Sequence, residues 1–174
     1  YCMPEEDYVW LPREDVLSFE EMATLTGYFA DLGVDKVRLT GGEPLLRRDL
    51  SRLVRLLLQD RRISEIALTT NGTQLPRLAR DLADAGLARV NVSLDSLDRA
   101  TFAKLAQRDV LPEVLAGIEA AVEAGLTPLS VNCVVIRGTN DHEAVSFARF
   151  ARERGFEVRF IEFMPLEHGQ RWGE

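Results

Sequence analysis

Met22, Leu25, Phe29 and Leu32 recur at three- and four-residue spacing, which is the period of a helix with one apolar face. Ser18, with Glu21 three residues on, reads as a capping box at its start, and Leu17 and Met22 read as a hydrophobic staple. Gly33 is a fitting stop. Lys36 to Thr40 then alternates polar and apolar residues, as a short strand does. Asp49 is placed to cap a second helix, with Leu50, Leu53, Val54, Leu57 and Leu58 on one face. Glu65 to Thr70 is the next strand. Leu75, Leu78, Ala79 and Leu82 mark a helix ending near Gly86. Arg89 to Ser96 covers a third strand and its exit, followed by a short helix near Asp98 to Gln107 and a longer one over Leu111 to Glu123. A fourth strand spans Leu129 to Ile136, a helix runs from about Asp141 to Arg154, and a fifth strand covers Glu157 to Pro165.

Strands that alternate with helices in this way predict an α/β fold with a parallel sheet and right-handed crossovers. Parity inside the strands narrows the choice. Lys36, Arg38 and Thr40 share one face, opposite Val37 and Leu39. Asn91, Ser93 and Asp95 oppose Val90, Val92 and Leu94. Ser130 and Asn132 oppose Val131, Cys133 and Val135. Strands of a parallel sheet are normally apolar on both sides. One polar face therefore predicts a curved sheet around a polar cavity, rather than a filled barrel or a doubly wound sheet. The fifth strand is ambiguous, since Arg159 and Glu162 fall on opposite faces.

Composition changes this picture little. The 174 residues are 46% hydrophobic and 28% charged, as in an ordinary folded domain. A net charge of −7 argues against general nucleic-acid binding, so any phosphate site must be a local basic cluster. No apolar run reaches the roughly 18–20 residues of a membrane helix, and no signal-peptide pattern opens the chain. Two cysteines, Cys2 and Cys133, make no disulfide framework, and the default location is the cytoplasm.

The unusual short motifs lie at the predicted strand ends: "TGGEP" at Thr40 to Pro44, "TTNG" at Thr69 to Gly72, "SLDS" at Ser93 to Ser96, and "EFMP" at Glu162 to Pro165. Ligands of parallel α/β folds gather there. Adjacent glycines let a ligand reach main-chain groups directly, and backbone carbonyls there can receive an ammonium. A serine hydroxyl at a neighbouring strand end can hold a carboxylate. No G-x-G-x-x-G, no G-x-x-x-x-G-K-[ST] and no H-E-x-x-H is present. His142 and His168 read as solvated polar residues, and Cys133 as a small buried hydrophobe.

"YCMPEE", "LSFEE", "KVRLTGGEPLLRRDL", "ALTTNG", "RVNVSLDSLD", "VNCVVIRGTND" and "RFIEFMPL" occur in this order along essentially the whole chain. Together they resemble the molybdenum cofactor biosynthesis protein A family, the radical S-adenosylmethionine (SAM) enzymes known as GTP 3′,8-cyclases. The Gly-Gly-Glu-Pro motif alone marks the radical SAM superfamily. The resemblance implies a partial, TIM-like (β/α) barrel with a [4Fe–4S] cluster on a C-x-x-x-C-x-x-C motif, reduced by an electron donor, and with bound SAM. It implies conversion of GTP to 3′,8-cyclo-7,8-dihydro-GTP through a 5′-deoxyadenosyl radical, at the start of molybdopterin synthesis. Members of the family are often dimers, so a homodimer is a further implication.

Residue by residue, the resemblance makes Cys2 the third cluster ligand. It makes Tyr1, Gly42, Ser93 and Met164 SAM contacts, and Arg38 and Thr69 GTP contacts. Arg38 also has a reason of its own, because a triphosphate needs a fixed cation on the cavity face. Ser130 stands where the family typically has a lysine that reaches the GTP phosphates. The match begins at the third cluster cysteine and stops soon after "EFMPLEHGQRW". Residues 1–174 are thus expected to be one barrel domain of a longer protein. The first two cluster cysteines and a C-terminal second-cluster segment lie outside it. Alone, this stretch is expected neither to assemble a cubane, which uses three thiolates, nor to cyclise GTP. The alternatives are another radical SAM enzyme, such as one modifying peptides, and a non-catalytic nucleotide-binding barrel.

Overall fold

The capping box forms as the spacing predicts. Ser18 Oγ accepts the Glu21 amide at 3.2 Å, and Glu21 accepts the Ser18 amide at 2.8 Å. The Ser18 amide, and then the Ser18 hydroxyl at 2.8 Å, donate to the Glu21 carboxylate and hold it below its ordinary value. Such caps stabilise a helix start by about 1 kcal/mol. They open α1 (Phe19–Asp31), which leads into β1 (Lys36–Leu39). The computed structural model describes residue 12 and residues 15–164. The remaining elements are α2 (Leu50–Leu57), β2 (Glu65–Thr70), α3 (Leu75–Asp84), β3 (Arg89–Ser93), α4 (Arg99–Ala106), α5 (Leu111–Glu123), β4 (Ser130–Val135), α6 (Ala144–Arg154) and β5 (Glu157–Glu162).

All neighbouring strands pair in parallel, in the order β1-β2-β3-β4-β5. Spatial order equals chain order, so every crossover steps the same way. Right-handed crossovers then put all the helices on one face. A doubly wound sheet would need the strand order to reverse. The arrangement is an open stretch of a barrel wall. On the helix side, Ile66, Leu68, Val90, Val92, Leu94, Val131 and Cys133 join Leu53, Val54, Leu75, Ile118 and Phe147 in one core. Each fully buried aliphatic or aromatic side chain there contributes about 1.5–3 kcal/mol.

Two glycines let α5 approach the sheet closely. A Cβ built on Gly117 would lie 2.2 Å from the Gly72 carbonyl oxygen. Gly72 itself has φ +81°, and a Cβ there would meet Val92 Cγ1 at 2.9 Å. The turn after β2 and the wall of α5 are therefore fixed against each other, backbone to backbone.

Three local expectations change. Asp49 precedes α2 but makes no capping bond through its side chain, because its backbone is left-handed, with φ 58°. The apolar stripe of α1 is a helix face, yet Leu25, Phe29 and Leu32 are 42%, 56% and 82% exposed. The helix flanks β1, the edge of the sheet, and so has neighbours on one side only among the described residues. The ambiguity of β5 resolves through its register. Arg159 pairs with Asn132 on the polar face, and Glu162 pairs with Val135 on the other. Among the described residues, no helix is long and apolar enough to cross a membrane.

Candidate functional site at the strand ends

Parallel register carries side-chain parity across the sheet. Arg38 aligns with Ala67 and Arg89. Thr69 aligns with Asn91, Ser130 and Glu157, and Ser93 aligns with Asn132 and Arg159. These residues form one polar face, opposite the helices. The cations on it differ in their partners. Arg89 is held by Glu65, and Arg159 Nη2 donates to Glu157 at 3.0 Å. Arg38 Nη1 donates to the Thr69 hydroxyl at 3.3 Å, and no described carboxylate pairs with it. A guanidinium held by a neutral hydroxyl keeps its charge available for an anionic ligand. Ser130 is buried and donates to Glu157 at 3.3 Å. An apolar hollow of about 220 Å³ lined by Met22, Phe29, Leu39 and Leu57 lies on the helix side and has no part in this face.

The Gly-Gly pair follows β1. Gly41 has φ +146°, a conformation that favours glycine. Gly42 is different: its backbone makes no such demand, and a Cβ there would meet nothing within 4 Å. Neither packing nor conformation explains the second glycine. Glu43 fixes the loop. Its Oε1 accepts the Thr70 hydroxyl at 2.6 Å and the Leu45 amide at 3.0 Å, and its Oε2 accepts the Asn71 amide at 2.8 Å. Thr70 Oγ1 in turn accepts the Gly72 amide at 3.1 Å. One carboxylate thus ties the exit of β1 to the exit of β2.

Ser93 ends β3 and is exposed, next to the half-buried Asn132 of β4. Asn132 Oδ1 is the one buried side-chain polar atom among the described residues without a partner. An unpaired buried acceptor is costly, about 1–3 kcal/mol, and a ligand donor would relieve it. On the opposite face, Cys133 is buried and free. Burial, then the charges of Asp95 and Glu143, push its thiol up to about 12. It is a poor nucleophile by design of its surroundings. In native protein at pH 8, iodoacetamide should leave Cys133 unmodified, and denaturation should expose it. Peptide mapping that found native alkylation at this position would contradict the burial.

The structure brings Arg38 and Thr69 together, sets Gly42 beyond the end of β1 and places Ser93 at the last position of β3. Met164 follows β5 and is 70% exposed. Tyr1 and Cys2 lie outside the described residues, as do Pro165 and His168. Among the described residues, no group of three His, Cys, Asp or Glu could hold a metal ion. Sequence reasoning passed over Glu43 and Asn132. Glu43 stood inside the quoted Gly-Gly-Glu-Pro motif, and Asn132 shares the parity of Ser130, so both signals were present.

Comparison with known proteins agrees with this layout. Residues 1–151 match the model of the Radical SAM superfamily. The chain is 50% identical to the GTP 3′,8-cyclase of Acidothermus cellulolyticus, over 99% of its own length and 49% of that protein. It is 51% identical to GTP 3′,8-cyclase 2 of Mycobacterium tuberculosis, over 99% of its length and 48% of that protein. The chain spans about half the length of these relatives. Among solved structures, native anSMEcpe with bound AdoMet and a Kp18Cys peptide superposes with a TM-score of 0.72. The identity is 16%, over 91% of this chain and 48% of that one. Streptococcus suis SuiB bound to S-adenosylmethionine gives a TM-score of 0.74 at 17% identity, over 88% of this chain and 35% of that one. These likenesses establish the partial-barrel fold.

Proposed function

From the premise that this chain belongs to the Radical SAM superfamily, we propose that it is the barrel of a GTP 3′,8-cyclase. In this reading it binds SAM and GTP across the polar face and serves the first step of molybdenum cofactor synthesis. The observation that carries the substrate is the pairing of a free cation, Arg38, with Thr69 on that face, together with the roughly half-identical cyclases. The residues present fit SAM. Gly42 leaves main chain open to a methionine-like ammonium. Ser93 offers a hydroxyl, and Asn132 offers an unfilled acceptor, beside it. When bound next to a reduced [4Fe–4S] cluster, to which Cys2 would contribute a ligand, SAM supplies the hydrogen-abstracting chemistry.

The chain's own part is to orient and to exclude. Arg38 holds phosphate oxygens, and Thr69 fixes the guanidinium that does so. Ser130 contributes a neutral hydroxyl, so the cationic load falls to Arg38. Glu43 sets the position of the Gly-Gly backbone. Tyr1 and Met164 are assigned to SAM in this reading. A wall of closely packed strands and helices keeps water from one side of the site, as radical chemistry requires. An external one-electron donor, a cytoplasmic setting and a homodimer complete the reading.

The test uses the protein that carries this chain, with its cluster reconstituted anaerobically and incubated with SAM, dithionite and GTP. GTP-dependent 5′-deoxyadenosine and a cyclised nucleotide are expected. SAM cleavage indifferent to GTP would overturn the assignment in favour of another radical SAM enzyme. Within the same assay, Arg38→Ala should raise the KM for GTP by about 10–100-fold, the loss of one charge-assisted contact of about 1.5–3 kcal/mol. The affinity for SAM should stay unchanged.

A further inference from the structure

We infer that Asn140 and Glu143, two buried residues after β4, are positioning residues that hold Ser93 and Asn132 ready for the SAM moiety. The inference rests on the SAM-binding reading of that pair. Neither residue lies on the polar face. Asn140 is 2% exposed and Glu143 is 6% exposed. Both reach back to the exit of β3.

The bonds form one continuous clamp. The Leu94 amide donates to the Asn132 carbonyl at 3.0 Å, which extends the β3–β4 pairing past Ser93. Asp95 Oδ1 accepts the Val134 amide at 2.8 Å. Asn140 Nδ2 donates to the carbonyls of Asp95 at 2.5 Å and Val134 at 2.8 Å, and its Oδ1 accepts the Ile136 amide at 2.7 Å. Glu143 takes the other half of the loop. Its Oε1 accepts the Ser96 hydroxyl at 2.6 Å, and its Oε2 accepts the amides of Leu97 at 2.7 Å and Asp98 at 3.3 Å. The Ser96 side chain is wholly buried.

Eight hydrogen bonds thus tie the two strand exits together, and Asn132 Oδ1, on the polar face, has no partner among the described residues. A network that served folding alone would gain by filling that acceptor as well. Instead the clamp ties the exits of β3 and β4 together, and the Asn132 acceptor stays unpaired on the strand aligned with Ser93. That is preorganisation: the donor of a bound ligand meets an acceptor already desolvated and fixed in direction. An acceptor moved out of hydrogen-bond reach forfeits its bond to the ligand, about tenfold in affinity for about 1.4 kcal/mol.

The test is calorimetric titration of the reconstituted full protein with SAM and, separately, with GTP. Asn140→Asp keeps the acceptor for Ile136 but removes both donated bonds. Glu143→Gln is the second variant and removes part of the other half. Asn140→Asp should weaken SAM by about tenfold or more, and Glu143→Gln by about three- to tenfold, with GTP affinity within about threefold of wild type. Amide exchange at Val134, Leu97 and Asp98 should quicken in the ligand-free variants. A purely structural role would lower the melting temperature and leave SAM affinity within twofold, and that result in either folded variant overturns the inference alone. Wild-type protein that takes up no SAM overturns the functional reading, and this inference with it.

Discussion

Gly117→Ala is expected to lower stability more than any other single-methyl change in the described chain. The added Cβ would fall 2.2 Å from the Gly72 carbonyl oxygen and 3.2 Å from Leu75 Cβ. The obstacle is backbone, so no rotamer change removes it, and α5 must move away from the start of α3. Overpacking of this kind costs about 3 kcal/mol. For a chain of this size that corresponds to a fall of about 6–12 °C in Tm. Thermal unfolding followed by circular dichroism checks it. A fall below about 2 °C would mean that the helix and the turn after β2 are not in main-chain contact. The effect should reach the ligand face too, because Gly72 follows Thr70 and Asn71, the partners of Glu43.

Glu43→Ala is the substitution with the largest expected effect on ligand binding. It leaves the Thr70 hydroxyl and the Leu45 and Asn71 amides without their acceptor. Hydrogen bonds to a charged acceptor contribute about 1.5–3 kcal/mol each, and the three are not additive. A net loss of about 3 kcal/mol at the Gly-Gly loop would weaken SAM by at least about 100-fold. Glu43→Gln keeps one acceptor oxygen and should fall between the two. Equilibrium titration with SAM reads both variants. Affinity within threefold of wild type for Glu43→Ala would show that the carboxylate does not govern SAM binding through the Gly-Gly loop.

Much of this layout was legible in the residues because it depends on local spacing. The capping box at Ser18, the limits of β2 and α5, and the polar parity of the sheet all follow from patterns within a few positions. Asp49 failed as a cap because its backbone takes the left-handed conformation, φ 58°, which its side-chain preference does not announce. The stripe of α1 marked its helix correctly, and its exposure was not legible because amphipathicity marks a face to be covered but does not say by what. The clamps at Glu43 and Glu143 join groups 27 and 47 residues apart, and no local pattern encodes such partners. Charge in an acidic chain looks solvated until the fold brings amides to it.

The equality of spatial and chain order has a consequence for synthesis. Each newly made strand docks on the outer edge of the one before it, and no strand must be inserted between two already in place. Each pairing still closes across an intervening helix, and that loop closure slows the folding of a parallel sheet. The wall can be laid course by course as the polypeptide leaves the ribosome, in the N-to-C direction in which domains are completed.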